Sequence, residues 1–241
     1  MHAELLGEGP RLLLVHGSVA FGMEAWSAQR PLADQFTLVV PTRTGYPPND
    51  PLERIDFEDQ ADELAELLEP GDHLVGHSYG GVVSLLAAAR RPDALRSLTV
   101  IEPPAFGVAS DHPAVREIMD AFSGGYPRDP SGYLEFFLPL VGSAFRAPDP
   151  LPRPLELGAR AALAERLPSE AEIPFDELRG AAFPKLVVSG GHHAAFDAVC
   201  NVLERELEAE RAVVPGAGHS VQRTGEPFNA VLRGFLARSD G

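Results

Sequence analysis

The chain has 241 residues, is 44% apolar, and carries 35 acidic against 20 basic residues, a formal charge of −15. That apolar content can bury one sizeable core, and single α/β domains reach this length, so one domain is expected. The acidic excess is spread along the chain, which argues against a nucleic-acid backbone or an anionic membrane surface as partner.

The opening, MHAELLGEGPRLLLV, has no basic segment, and its apolar run is too short for a signal peptide or a membrane span. A soluble, cytoplasmic protein is expected. Short apolar runs then recur: RLLLV (11–15), FTLVVP (36–41), HLVG (73–76), SLTVIEP (97–103), KLVVSG (185–190) and RAVVPG (211–216). Runs that do not alternate with polar residues suit strands covered on both faces, as in a parallel sheet. Between most of them lie stretches with apolar residues at three and four spacing: FEDQADELAELLEP, YGGVVSLLAAARRP, FDAVCNVLERELEA and PFNAVLRGFLA. Strand and helix therefore alternate, which predicts a doubly wound α/β fold with a mostly parallel sheet. Cys200, the single cysteine, sits in the apolar pattern AVCNVL and reads as a buried structural thiol.

Residues 104–178 break the rhythm. This stretch is rich in proline and offers short helical patterns near 113–122, 131–141 and 155–167, so it reads as an inserted helical cap. Its aromatic residues, Phe106, Phe136 and Phe137 among them, predict an apolar inner face that lines a substrate pocket.

Three motifs carry chemistry. GHSYGG (76–81) lies between a strand and a helix, the context in which a serine is held on a strained turn with its hydroxyl above the carboxyl edge of the sheet. Ser78 is the candidate nucleophile, and the N–H of Tyr79, at the start of the helix, is a natural donor to an oxyanion. HGS (16–18) follows the strand RLLLV, and a turn there brings a second N–H to the same oxygen, from Ser18 or, as the alternative, Val19. PGAGHS (215–220) follows the last strand and places His219 in a glycine-rich loop from which it can reach Ser78 as general base. His16 and His77 flank turns and are expected to orient backbone.

Together with PTRTG, IEPP and the SGG strand end, these residues make nearly the whole chain resemble the α/β-hydrolase superfamily, in particular its small capped serine hydrolases. The resemblance implies a Ser–acid–His triad in that chain order. It also exposes two departures. The HGS strand comes so early that one or two family strands are expected to be short or missing. In SGGHHAAFDAVC, His193 stands where similar proteins place the triad aspartate. Some superfamily members carry the acid on the strand after the elbow helix, and Glu102 occupies that exit here. The acid is assigned to Glu102, with Asp197 or no carboxylate at all as the alternatives.

His193 is expected to line the substrate pocket with Val19, and His192 to be solvated. Adjacent histidines on extended backbone point to opposite sides, and no HxxEH or HxH pattern is present, so no metal site is expected. The resulting expectation is a cofactor-free serine hydrolase acting on an ester, lactone, thioester or activated C–C bond of a small apolar substrate. A lyase or cofactor-free oxygenase on the same triad, or a ligand-binding protein on a degenerate hydrolase scaffold, are the competing readings.

Overall fold

The computed structural model describes residues 1–239. A seven-stranded sheet forms its centre, in the order β1-β3-β2-β4-β5-β6-β7. The strands are β1 (His2–Leu6), β2 (Arg11–Val15), β3 (Thr37–Thr42), β4 (Asp72–His77), β5 (Leu95–Ile101), β6 (Lys185–Ser189) and β7 (Glu210–Val213). Every neighbouring pair is parallel except β1, which runs antiparallel along the outer edge of β3. The expected loss of early strands is thus only partial. β1 escapes sequence detection because most of HAELL is exposed on this edge, so it carries no apolar run.

Successive side chains of a strand point to opposite faces, and both faces are covered. Leu13, Val15, Leu74, Val100 and Val187 pack with helices α2 (Phe57–Leu67), α3 (Tyr79–Arg90) and α8 (Ala194–Leu207). Leu12, Leu14, Val75, Ile101 and Val188 pack on the other face with α1 (Gly22–Ala25) and α9 (Glu226–Ser239). This double burial is the reason the central strands read as unbroken apolar runs. Cys200 sits on α8 with no exposure, and burial pushes its thiol pKa up, which keeps it protonated.

Between β5 and β6 the chain forms α4 (Pro113–Ser123), α5 (Pro130–Leu140), α6 (Arg153–Ala164) and α7 (Phe175–Gly180). Val115 and Ile118 of α4 and Leu178 of α7 join the main core, whereas α5 and α6 hold a small cluster of their own around Tyr133, Leu134, Ala159 and Ala162. The lid proper is therefore the α5–α6 pair. Its tether is a short backbone bridge: Ile55 N–H donates to Ala164 O and Arg166 N–H to Ile55 O, both at 2.8 Å. Among the described residues no helix is long and apolar enough to cross a membrane.

Because the strands from β2 to β7 are parallel, their carboxyl ends share one edge of the sheet, where ligands of open α/β sheets bind. Close packing of α3 against β2 fixes the height of that edge. A Cβ at Gly80 would lie 2.3 Å from His16 O and 2.5 Å from Val15 O, both rigid backbone atoms. Gly80→Ala is therefore expected to lose about 1–3 kcal/mol of stability through overpacking. A thermal unfolding midpoint equal to that of the wild type would contradict this packing.

Candidate active site

Ser78 follows the last residue of β4 at φ 52°, ψ −126°, and opens α3. Its N–H donates to Ile101 O at 2.8 Å, which pins the turn to the end of β5. Opposite it lies the turn after β2, so close that a Cβ on Gly17 would stand 2.8 Å from Ser78 Cβ. The four described non-glycine residues with positive φ are Val19, Ser78, Glu102 and Glu208. Three of these belong to the candidate site, and Glu208 caps α8. Strain held in this way needs surroundings that over-determine it, and such strain gathers at functional sites.

The Ser78 hydroxyl donates to His219 Nε2 at 2.9 Å. On the other side of the ring, Nδ1–H donates to Glu102 Oε2 at 3.3 Å. Serine and histidine are separated by 141 positions, and histidine and glutamate by 117. They meet because β4, β5 and β7 end on the same edge. Glu102 leaves β5 at φ 49° and is fully buried. Burial alone would raise its pKa. The neighbouring His192, the hydrogen bond and charge of His219 and the Gly190 N–H outweigh that effect and hold it at about 2. The Gly190 bond, 2.7 Å to Oε1, comes from the exit of the neighbouring strand β6.

Asp197, the alternative acid, is engaged elsewhere. Its Oδ1 accepts from Ser189 Oγ at 2.8 Å and from Arg211 Nη2 at 3.4 Å. Neither of the two adjacent histidines takes its expected place. His193 begins α8 and accepts from the Ala195 N–H through Nδ1, a capping contact that leaves it outside the cavity linings. His192 turns inward, with Nδ1 3.6 Å from Glu102 Oε1 and Nε2 3.0 Å from Val141 O. The expected alternation to opposite sides does not hold: the two rings lie 6.0 Å apart and both stand against Phe196, because Gly191 at φ 61° and the helix start at His193 break the extension of the strand.

His77 and His16 hold backbone in place. His77 Nε2–H donates to His219 O at 3.0 Å and steadies the loop that carries the base. Burial, followed by the neighbouring His219, holds the His77 pKa at about 3, so the ring is neutral. His16 accepts the Arg43 N–H through Nε2 and donates through Nδ1 to Gly17 O; burial and then Arg43 depress its pKa.

Arg43, from the PTRTG loop, and Glu165, at the end of α6, escaped the sequence reading. The Arg43 guanidinium is fully buried between the rings of Tyr46 and Tyr79 and donates to His16 O, Gly17 O and Gln60 Oε1. Glu165 accepts from Arg43 at 2.5 Å, from Tyr46 Oη at 2.8 Å and from Ser18 Oγ at 2.5 Å. One buried ion pair thus ties the lid to the turn that carries Ser18. Val19 N–H, the alternative donor of that turn, is directed to Tyr46 Oη at 3.4 Å. Tyr79 opens α3, so its N–H is one of the helix's unpaired first-turn donors.

Two cavities meet at Ser78. A narrow one of about 50 Å³ runs under the lid, lined by Phe106, Ile118, Phe122, Tyr133, Phe137 and Phe196. A wider cleft of about 910 Å³ opens past His219, lined by Val19, Phe21, Phe137, Leu138, Phe145 and Leu155. Phe106, Phe137 and Val19 therefore face the site as expected. Phe136 does not: it packs on Phe122 of α4 and on Tyr126, one residue out of phase with the inward face of α5.

This arrangement, a strained serine between a parallel strand and a helix with a buried histidine and glutamate from later strand ends, defines a class before any relative is considered. Residues 12–231 match the model of the alpha/beta hydrolase family. The chain belongs to that family. It is 29% identical to polyketide synthase ThaQ of Burkholderia thailandensis over 97% of its own length, yet spans only 12% of the synthase. It is 28% identical to a pimeloyl-[acyl-carrier protein] methyl ester esterase of Xanthomonas oryzae pv. oryzae, covering 89% of this chain and 100% of the esterase. Among solved structures, a bacterial membrane phospholipase A is similar at 25% identity with a TM-score of 0.73, covering 99% of this chain and 84% of that one.

The buried pair gives a direct stability test. Glu165→Ala leaves the Arg43 charge buried without its carboxylate, and is expected to cost about 3–5 kcal/mol. Removing Glu226, whose partner Arg233 lies on the surface, is expected to leave the denaturant midpoint unchanged within error. Comparable losses in the two variants would show that the lid is not anchored through Arg43.

Proposed function

We propose that the protein is a serine hydrolase that cleaves an ester, lactone, thioester or activated C–C bond of a small apolar substrate through an acyl-enzyme. The observation that carries the proposal is the unbroken relay from Ser78 Oγ to His219 Nε2 and from His219 Nδ1 to Glu102, placed at the junction of two largely apolar cavities. The full-length likeness to a methyl ester esterase agrees with it.

In the proposed mechanism His219 removes the proton from Ser78 Oγ as the oxygen attacks the carbonyl carbon. Glu102 keeps the Nδ1 proton in place and stabilises the imidazolium that forms. The N–H groups of Ser18 and Tyr79 receive the oxyanion; one such donor is commonly worth roughly 10²–10³ in kcat. The imidazolium then protonates the leaving group. Water, activated by the same histidine, clears the acyl-enzyme.

The cavities support an apolar substrate. The charged side chains of the cleft, Glu24 and Arg223, pair with each other at 2.8 Å and leave no unmatched cation for a carboxylate or phosphate. Phe137 lines both spaces and separates them. On a panel of p-nitrophenyl esters, activity is expected with uncharged acyl groups, and Phe137→Ala is expected to shift the optimum to longer chains. A preference for dicarboxylate or phosphorylated substrates would overturn this account of the pocket. Ser78→Ala is expected to lose both turnover and labelling by a fluorophosphonate, read by intact mass. Equal labelling of wild type and Ser78→Ala would contradict the nucleophile.

A further inference from the structure

His192 presents a chemical mismatch that the hydrolytic relay does not use. Its Nε2 lies 3.0 Å from Val141 O, and a carbonyl oxygen only accepts, so this nitrogen carries the proton. When the ring is neutral, its Nδ1 lone pair is turned toward Glu102 Oε1 at 3.6 Å. That Nδ1 is buried and has no hydrogen-bond partner among the described residues. Two acceptors facing each other in a buried site call for a cation between them.

A third donor converges on the same place. His219 Nδ1 lies 3.3 Å from Glu102 Oε2, and one ligand atom from each of Glu102, His192 and His219 can be chosen so that all lie within 4.8 Å of one another. Zinc bonds to histidine nitrogen and carboxylate oxygen are about 2.0–2.2 Å, so the edge of a tetrahedral site is roughly 3.3–3.6 Å. His192 Nδ1 and His219 Nδ1 stand at 3.6 and 3.3 Å from the two separate oxygens of Glu102, a spacing that a carboxylate offering both oxygens to one ion can serve.

The supporting contacts also suit a metal ligand set. A metal-bound imidazole ordinarily donates its other N–H to a carbonyl, as His192 does to Val141, and a ligating carboxylate is itself hydrogen-bonded, as Glu102 is by Gly190. We propose that Glu102, His192 and His219 form a divalent-cation site with the ligand chemistry of Zn²⁺.

The consequence for activity rests on the hydrolytic reading given above. Coordination of the ion at His219 Nδ1 displaces the proton held there, and the neutral ring carries it at Nε2 instead. The ion exchanges hydration water for protein ligands, and no net proton is gained or lost by that ring. Nε2 then has no lone pair to accept the Ser78 proton. Zinc is thus expected to be a reversible inhibitor that acts through the base.

Binding and inhibition are separable by experiment. Co²⁺ is titrated into Ser78→Ala protein and followed by the visible absorption of a four-coordinate ion; one equivalent is expected to bind and to be displaced by Zn²⁺. His192→Gln in the same background, shown to fold by circular dichroism and its unfolding midpoint, is expected to bind at least about tenfold more weakly, and His193→Gln to bind as before. In active protein, Zn²⁺ is expected to inhibit with reversal by a chelator, and His192→Gln to be at least about tenfold less sensitive relative to its own metal-free rate. Absence of Co²⁺ binding, or equal affinity with and without His192, overturns the site and leaves a proton as the cation. Binding without inhibition upholds the site and instead contradicts His219 as the base.

Discussion

A glutamate with no solvent exposure survives as an anion only if its oxygens are supplied with donors, and the site is organised around meeting that demand for Glu102. The donors come from Gly190 at the exit of β6 and from His219 in the loop after β7. Each lies on a different segment, so the carboxylate fixes the relative positions of three strand ends. The positive φ at Glu102 is the backbone cost of aiming it back over the sheet edge. Once it is held, the ring of His219 has a defined tautomer and Ser78 faces its basic nitrogen.

The Arg43–Glu165 pair does for the lid what Glu102 does for the base. Burying a guanidinium and a carboxylate is costly, and it is tolerated here because Arg43 also finds two carbonyls and an amide oxygen while Glu165 finds two hydroxyls. The carbonyls belong to His16 and Gly17, so the charge that tethers the lid also orients the turn bearing Ser18. Glu165 at the end of α6 and the turn bearing Ser18 thus share one hydrogen-bonded network.

How far the sequence carries follows from which interactions are local. The five inner strands announce themselves because both faces are buried, and GHSYGG is legible because the strained turn needs small neighbours and a helix behind it. Glu102 was legible by its place at a strand exit, since parallel strands end on one edge. Edge strand β1 was not, because an exposed edge carries no apolar run. His192 and His193 were misplaced because a single glycine with positive φ ends the strand's alternation and turns both rings toward Phe196. Phe136 was misplaced by one position on α5, where the pattern PSGYLEFFLPL has apolar residues on more than one face. Arg43 and Glu165 lie 122 positions apart and meet only when the lid docks, so no local pattern foretells their pairing.

The central claim is that the carboxylate orienting His219 leaves from β5. The most direct measurement compares kcat on one activated ester for Glu102→Gln and Asp197→Asn, each verified to fold. The account predicts a loss on the order of 10⁴ for Glu102→Gln, because the amide permits the wrong imidazole tautomer. Asp197→Asn, which touches Ser189 and Arg211, is predicted to keep nearly full turnover. A crippled Asp197→Asn beside an active Glu102→Gln would contradict the account and return the acid to the segment after β6.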